Sequence, residues 1–346
     1  MFNADKLYLE DINAAASCII NWEKLNGKSI LITGATGLIG TFLIDLLMYR
    51  NINYNDNITI YALNQSKEKA VERFNKYFNS PFFISIQKDL QTPFELNASV
   101  DYIIHGASNT HPIAYASEPV NTILLSVLGT KTILDFAAAH SVKRTLFLSS
   151  VEIYGENRGD TEMFNEEYCG FIDCNTLRAG YPEGKRAAEA LCQAYRKENN
   201  IDVVIARCCR VYGPTMGNED SKVIAQFIRN CVNNENIILK SKGDQLYSYC
   251  YAADICSAVL LLLLNGEDGE AYNISDNSSL TLLEIAKILS EHSAKEIVYD
   301  TPAAAEASGY SKATKALLDS SKLQKLGWKP LYSLKDGLIR TVDILR

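Results

Sequence analysis

The glycine run Thr33-Gly34-Ala-Thr-Gly37-Leu-Ile-Gly40 constrains the fold of this chain more than any other feature. It follows directly on an apolar run, Ser29–Thr33, that reads as a strand, and it opens an apolar helical pattern over 38–50. In that setting Gly34 permits a tight turn, Gly37 lets the backbone approach a pyrophosphate, and Gly40 lets the helix pack close to a sheet. The amides and positive dipole end of the helix then face the anion. Gly34, Thr36, Gly37, Leu38, Ile39 and Gly40 are therefore expected to cradle a dinucleotide. Such a loop works at the C-terminal edge of a parallel sheet, and the rest of the chain has to supply that sheet.

It does so by rhythm. Short apolar runs at 58–63, 83–87, 102–105, 144–148 and 202–206 predict strands, and helical patterns at 66–78, 119–140 and about 180–198 lie among them. Apolar strands of this length alternating with helices indicate a parallel sheet covered on both faces. Residues 5–26 predict one short amphipathic helix closed by Gly27. After Pro214 the rhythm changes, with helices predicted at 221–234, 281–292 and 333–345 and short strands near 237–240 and 271–274. Thr281-Leu-Leu-Glu284 is a capping box, and Ala303–Ser308 reads as a mobile loop. The expected fold is α/β: a Rossmann-type doubly wound parallel sheet with a smaller C-terminal mixed α/β lobe. Expected boundaries are 1–26 for a helical extension, 27–212 with about 247–265 for the dinucleotide domain, and 213–246 with 266–346 for a substrate lobe.

Tyr181 and Lys185 form the sequence's one Tyr-x-x-x-Lys. Positions i and i+4 share a helix face, where an ammonium lowers a phenol's pKa and makes it a usable base. Upstream, Leu146-Phe-Leu-Ser149-Ser150 ends a strand and places the Ser150 hydroxyl where it can bond a substrate oxygen beside that phenol. A pyrophosphate loop followed by a tuned phenol implies hydride chemistry on an alcohol or ketone. The strand that should end on an acid for the adenosine ribose ends instead on Asn64-Gln65-Ser66-Lys67. Asn64 can bond ribose hydroxyls while Lys67 could meet a 2′-phosphate, and NAD is favoured over NADP.

A formal charge of −7 and a pI near 5.3 argue against nucleic acid or an anionic membrane surface as the main partner. Nine cysteines without regular spacing read as thiols in a reducing cytosol. His105 reads as structural, and His111, His140 and His292 lack metal-ligand spacing, so no metal is expected. The most apolar stretch, 258–264, is too short to span a bilayer. A soluble cytoplasmic protein is the expectation.

Taken together the motifs resemble the extended short-chain dehydrogenases, the NAD-dependent epimerase/dehydratase enzymes of nucleotide sugars. The resemblance covers roughly 28–346. It runs from the glycine loop through Asp89-Leu90, Gly106-Ala107-Ser108, Ser149-Ser150, Tyr181 and Lys185, then Arg207 to Pro214, to Asp319…Trp328-Lys-Pro330. It implies that Asp89 and Leu90 contact the adenine, that Gly106, Ala107 and Ser108 run along the cofactor, and that C4 of a sugar is oxidised transiently. It also implies a homodimer paired through helices 119–140 and 181–198. The segment Ser150-Val151-Glu152 keeps the glutamate seen in UDP-glucuronate decarboxylases but lacks the acid of 4,6-dehydratases, since valine holds no proton to give. Decarboxylation of a UDP-uronic acid is therefore the leading expectation, with 4-epimerisation second, 4,6-dehydration third, and a non-catalytic nucleotide-binding regulator as the reading from another class. The chain departs from the family at Arg210 (an Asn there), at Tyr247 (an Arg), at Ser126 (often an Asn) and at Lys315-Ala-Leu-Leu-Asp319 (an Arg-x-Pro-Asp). A nucleotide diphosphate needs cations, so Arg178, Arg210 or Lys315 is expected to replace the missing grip. Ser150, Glu152, Arg178, Arg210, Tyr247 and Lys315 are the expected substrate contacts.

Overall fold

The computed structural model describes residues 5–19, 21–110, 115, 117–300 and 314–346. His111 and Ala303–Ser308 lie outside these residues. Seven strands form one all-parallel sheet in the order β11-β6-β5-β4-β1-β2-β3. They are β1 (Ser29–Thr33), β2 (Thr59–Asn64), β3 (Phe83–Gln87), β4 (Tyr102–His105), β5 (Arg144–Ser150), β6 (Val203–Cys208) and β11 (Ala271–Ile274). Every residue of β1 is buried, as a strand covered on both faces requires. The chain winds outward from β1 through β2 to β3, then crosses back to β4 on the other side of β1. That reversal opens a crevice beyond the C-terminal ends of β1 and β4.

The first helix, α1 (Lys6–Ser17), is shorter than the expected 5–26. Asn21 adopts φ +72° and interrupts the pattern before a separate 3₁₀ turn at Trp22–Leu25. Helix α2 (Leu38–Tyr54) starts from Gly37, and α3 (Lys67–Phe74) is capped by the Ser66 hydroxyl. Helix α4 (Pro119–Ala139) is continuous, but its turn at Leu125–Gly129 widens to π geometry. Buried Ser126 lies in that turn, and a Cβ added to Gly184 would come within 3.0 Å of its side chain. The small serine thus stands at a close approach of α4 and α5 (Gly180–Asn199).

Past β6 come β7 (Arg210–Tyr212), α6 (Val223–Val232), β8 (Ile237–Leu239), β9 (Leu246–Tyr247), β10 (Tyr249–Tyr251) and α7 (Ala252–Asn265). Then follow β12 (Leu280–Thr281), α8 (Leu282–Ser293), β13 (Ile297–Tyr299), β14 (Lys315–Ala316), α9 (Ser321–Lys325) and α10 (Leu334–Leu345). Small sheets pair β7 with β10, β8 with β13, and β9 with both β12 and β14. The capping box at Thr281 and Glu284 is formed. Helix α7, buried on every face, returns to pack against β5 and β6 of the main sheet. One expectation fails: 271–274, assigned to the smaller lobe, is the edge strand β11 of the main sheet, in parallel register with β6. Four residues carry too little pattern to announce their neighbour.

Candidate active site

A cleft of about 980 Å³ runs from the glycine loop to the smaller lobe. At its floor the Thr33 hydroxyl accepts from the amides of Gly106 and Ala107, both at 3.1 Å, and contacts His105 Nδ1 at 2.7 Å. His105 Nε2 reaches Thr130 Oγ1 at 3.2 Å, and burial holds its pKa down at about 3. The ring is thus a neutral tie between β1, β4 and α4. His140 stacks on Phe136, and His292 contacts Asp343 at 2.7 Å.

The loop itself is shaped for close approach. Gly34 has φ +69°, and a Cβ there would lie 2.8 Å from the Gly106 carbonyl. A Cβ on Gly40 would meet the Gly34 oxygen at 2.5 Å, so both positions exclude any side chain. Gly34, Thr36, Gly37, Leu38, Ile39, Gly40, Leu90, Gly106, Ala107 and Ser108 all line the cleft. So does Asn64, whose Nδ2 donates to Ala62 O and Ser85 Oγ while its buried Oδ1 has no hydrogen-bond partner among the described residues. Buried Ser108 Oγ, Asn109 Nδ2 and Ser149 Oγ are likewise unpaired. Orphan polar atoms along a glycine-lined groove fit a bound dinucleotide. Asp89 departs from expectation: it lies in a shallow neighbouring groove with Gln65, Gln87, Lys88 and Thr92, and its carboxylate accepts the Gln91 amide in a local turn. Lys67 is not among the cleft residues, whereas Lys69 and Arg73, i and i+4 on α3, are.

Deeper in the cleft, Tyr181 and Lys185 stand on the first turns of α5, both buried. Burial pushes the Tyr181 phenol well up from its usual value, and a hydrogen bond with the Ser150 hydroxyl acts in the opposite direction. The Tyr181 ring stacks on Tyr115 with centroids 4.9 Å apart. Lys185 Nζ donates to Leu148 O at 2.8 Å, and burial lowers its pKa to about 8. Loss of solvent outweighs the lowering influences of the Ser150 hydroxyl and Arg178 on the phenol.

Ser150 Oγ also accepts the Glu152 amide at 3.2 Å, starting a short 3₁₀ turn that points the glutamate into the cleft. The Glu152 carboxylate lies between two guanidiniums, with Arg178 Nη2 at 2.9 Å and Arg210 Nη2 at 3.7 Å. Arg178 covers the Tyr115 ring at 4.6 Å and Arg210 the Tyr247 ring at 3.5 Å. Among the described residues, Arg178 Nε and Nη1, Arg210 Nη1 and Tyr249 Oη are buried with no hydrogen-bond partner. Lys315 is not among the cleft residues; its ammonium pairs with Glu162, drawn away by the β9–β14 pairing. Arg207 joins Glu189 to Tyr154 and is structural. Tyr115, Tyr249, Lys69, Arg73 and Glu219, which also line the cleft, escaped sequence reasoning. None sits in a short motif, though the i, i+4 spacing of Lys69 and Arg73 was visible.

Fold and site together define an NAD-dependent enzyme built on an extended dinucleotide-binding fold. The chain belongs to the NAD dependent epimerase/dehydratase family, whose profile matches residues 30–275. It is similar to UDP-glucuronic acid decarboxylase 6 of Arabidopsis thaliana, 31% identical over 314 residues that cover 89% of this chain and 86% of that protein. UDP-glucuronic acid decarboxylase 1 of Xenopus tropicalis is 30% identical over 92% of this chain and 72% of its own length. Among solved structures, UDP-glucose 4-epimerase of Thermotoga maritima with UDP-glucose superposes with a TM-score of 0.79 at 23% identity, covering 92% of this chain and 98% of that one. The dTDP-glucose 4,6-dehydratase of Bacillus anthracis with NAD gives 0.75 at 22% identity, covering 92% and 96%.

Proposed function

We propose that the protein decarboxylates a UDP-uronic acid through transient oxidation at C4 of the sugar. The observation that carries this reading is one wall of the cleft on which the Tyr181 phenol, the Ser150 hydroxyl and the Glu152–Arg178–Arg210 cluster stand together. The likeness to UDP-glucuronic acid decarboxylases supports it.

The glycine loop, Asn64 and Ser108 would hold NAD, which when bound would supply the hydride acceptor and a positive charge that favours the ionised phenol. Tyr181 takes the C4 hydroxyl proton, and the Ser150 hydroxyl donates a hydrogen bond to the same oxygen. The resulting ketone lies β to the uronate carboxylate. Its carbon–carbon bond then breaks with loss of CO₂, the electron pair moving towards the C4 oxygen, where the protonated Tyr181 and Ser150 both donate. C5 gains a proton, and return of the hydride to C4 with the Tyr181 proton to its oxygen leaves a product lighter by CO₂ alone. Arg178, against the Tyr115–Tyr181 stack, meets the uronate carboxylate, and Arg210 meets the diphosphate; their unpaired N–H groups are the donors. Val151 lines the same wall and has no proton to give, which disfavours dehydration.

Incubating the purified protein with NAD and either UDP-glucuronic acid or UDP-glucose, and weighing the products, tests the reading. Conversion of UDP-glucuronic acid to a product lighter by carbon dioxide is expected. An isomer of unchanged mass, or dehydration of UDP-glucose, would replace decarboxylation with epimerase or dehydratase chemistry.

The protein is further read as a homodimer. Val120 (68% exposed), Ile123, Leu124 and Leu128 form an apolar stripe on α4, with Leu177 (65% exposed) just before α5. By length and composition α4 could cross a membrane, yet half of it is buried in the fold. Two copies meeting through α4 and α5 would cover the rest. The variant Val120→Glu/Leu124→Glu is expected to run as a monomer in light scattering. Nine free thiols, six of them buried, suit a reducing cytoplasm.

A further inference from the structure

We infer that Glu219, reaching across the cleft from the loop after β7, selects NAD against NADP by neutralising Lys69 at the adenosine-ribose end. Strand β2 ends on Asn64, with no carboxylate where a dinucleotide fold places the acid that binds the ribose diol. The unpaired Asn64 Oδ1 can accept a ribose hydroxyl. A neutral amide, however, does not repel a 2′-phosphate as a carboxylate does.

On the near side of the cleft three cations outnumber the one acid, Glu72, and by themselves favour the phosphate. Lys69 and Arg73 face this end of the cleft from α3, and Lys88 lines it beyond the end of β3. Cations so placed are what a 2′-phosphate requires. The loop from the other lobe occupies two of them. The Glu219 carboxylate pairs with the Lys69 ammonium, and the Arg73 Nη2 donates to Met216 O at 3.3 Å. The acid absent from β2 is thus supplied from across the cleft. A ribose diol tolerates that arrangement, while a phosphate dianion meets the Glu219 charge and finds Lys69 engaged.

The Lys69–Glu219 pair is more than half exposed on both sides, so it adds little to stability and Glu219→Gln leaves the fold intact. Titration of NAD and NADP into the full chain by calorimetry tests the inference without any sugar substrate, so its failure is distinct from failure of the decarboxylase reading. The wild type is expected to prefer NAD. Glu219→Gln is expected to bind NADP about tenfold more tightly, by the Coulomb cost removed, with NAD affinity changed by less than about twofold. Lys69→Ala in the Glu219→Gln background should abolish the gain. An unchanged NADP affinity in Glu219→Gln, or a gain that survives removal of Lys69, overturns the inference.

Discussion

Replacing Arg210 by alanine tests the substrate-binding reading most directly. The guanidinium sits over the Tyr247 ring at 3.5 Å, touches Glu152 at 3.7 Å, and keeps Nη1 buried without a partner. A charge-assisted hydrogen bond to a substrate anion contributes about 1.5–3 kcal/mol. Its loss should therefore raise KM about 10- to 150-fold, at 1.4 kcal/mol per tenfold. The turnover number should change much less, because Arg210 meets neither the phenol nor the reacting carbon. Tyr247→Ala removes only the cation–π support, about 0.5–1 kcal/mol, a two- to fivefold effect on KM. If Tyr247 acts through Arg210, the double variant should match Arg210→Ala alone. Initial rates of UDP-glucuronic acid consumption, followed by chromatography, give all four corners of the cycle. Equal small effects of the two single changes, or strictly additive effects, would refute the argument.

Three further outcomes follow from the geometry. Tyr181→Phe should lower turnover by about 10²- to 10⁴-fold while calorimetric NAD binding persists; retained turnover would remove the phenol from the chemistry. Lys185, whose pKa burial lowers to about 8, binds fewer protons in the folded than in the unfolded chain between that value and its ordinary range. Stability should accordingly rise with pH across this window, by up to about 1.4 kcal/mol per unit; denaturant titrations should show Lys185→Met lacking that slope, and a slope equal to wild type would contradict the assignment. Gly34→Ala places a Cβ against the Gly106 carbonyl at φ +69°, so a loss of about 1–3 kcal/mol of stability and weakened NAD binding are expected, and an unperturbed melting temperature would argue against the tight turn.

Much of the site was legible because its chemistry is local. The glycine loop, the Tyr181–Lys185 spacing and Ser150-Val151-Glu152 each depend on one turn or one helix face, and each stands in the cleft. The errors fall where a side chain had to choose among distant partners. Lys315 is held by Glu162 and β11 by the edge of β6, while Asp89, held by its own turn, is the exception. The pKa of Tyr181 was not legible for a related reason: burial depends on how the whole cleft closes, and burial dominates that pKa.

Short segments were enough to specify a parallel sheet ending in a glycine turn, with a phenol, a lysine and a serine hydroxyl further along the chain, since 2.0- and 3.6-residue periodicities are local properties. Only the tertiary structure decided that Glu152 lies between Arg178 and Arg210, that Tyr115 stacks on Tyr181, and that Glu219 reaches Lys69. Those pairs join residues 26 to 150 positions apart. Charge pairing over such separations is set by which surfaces the folded core brings face to face, and no local pattern encodes it.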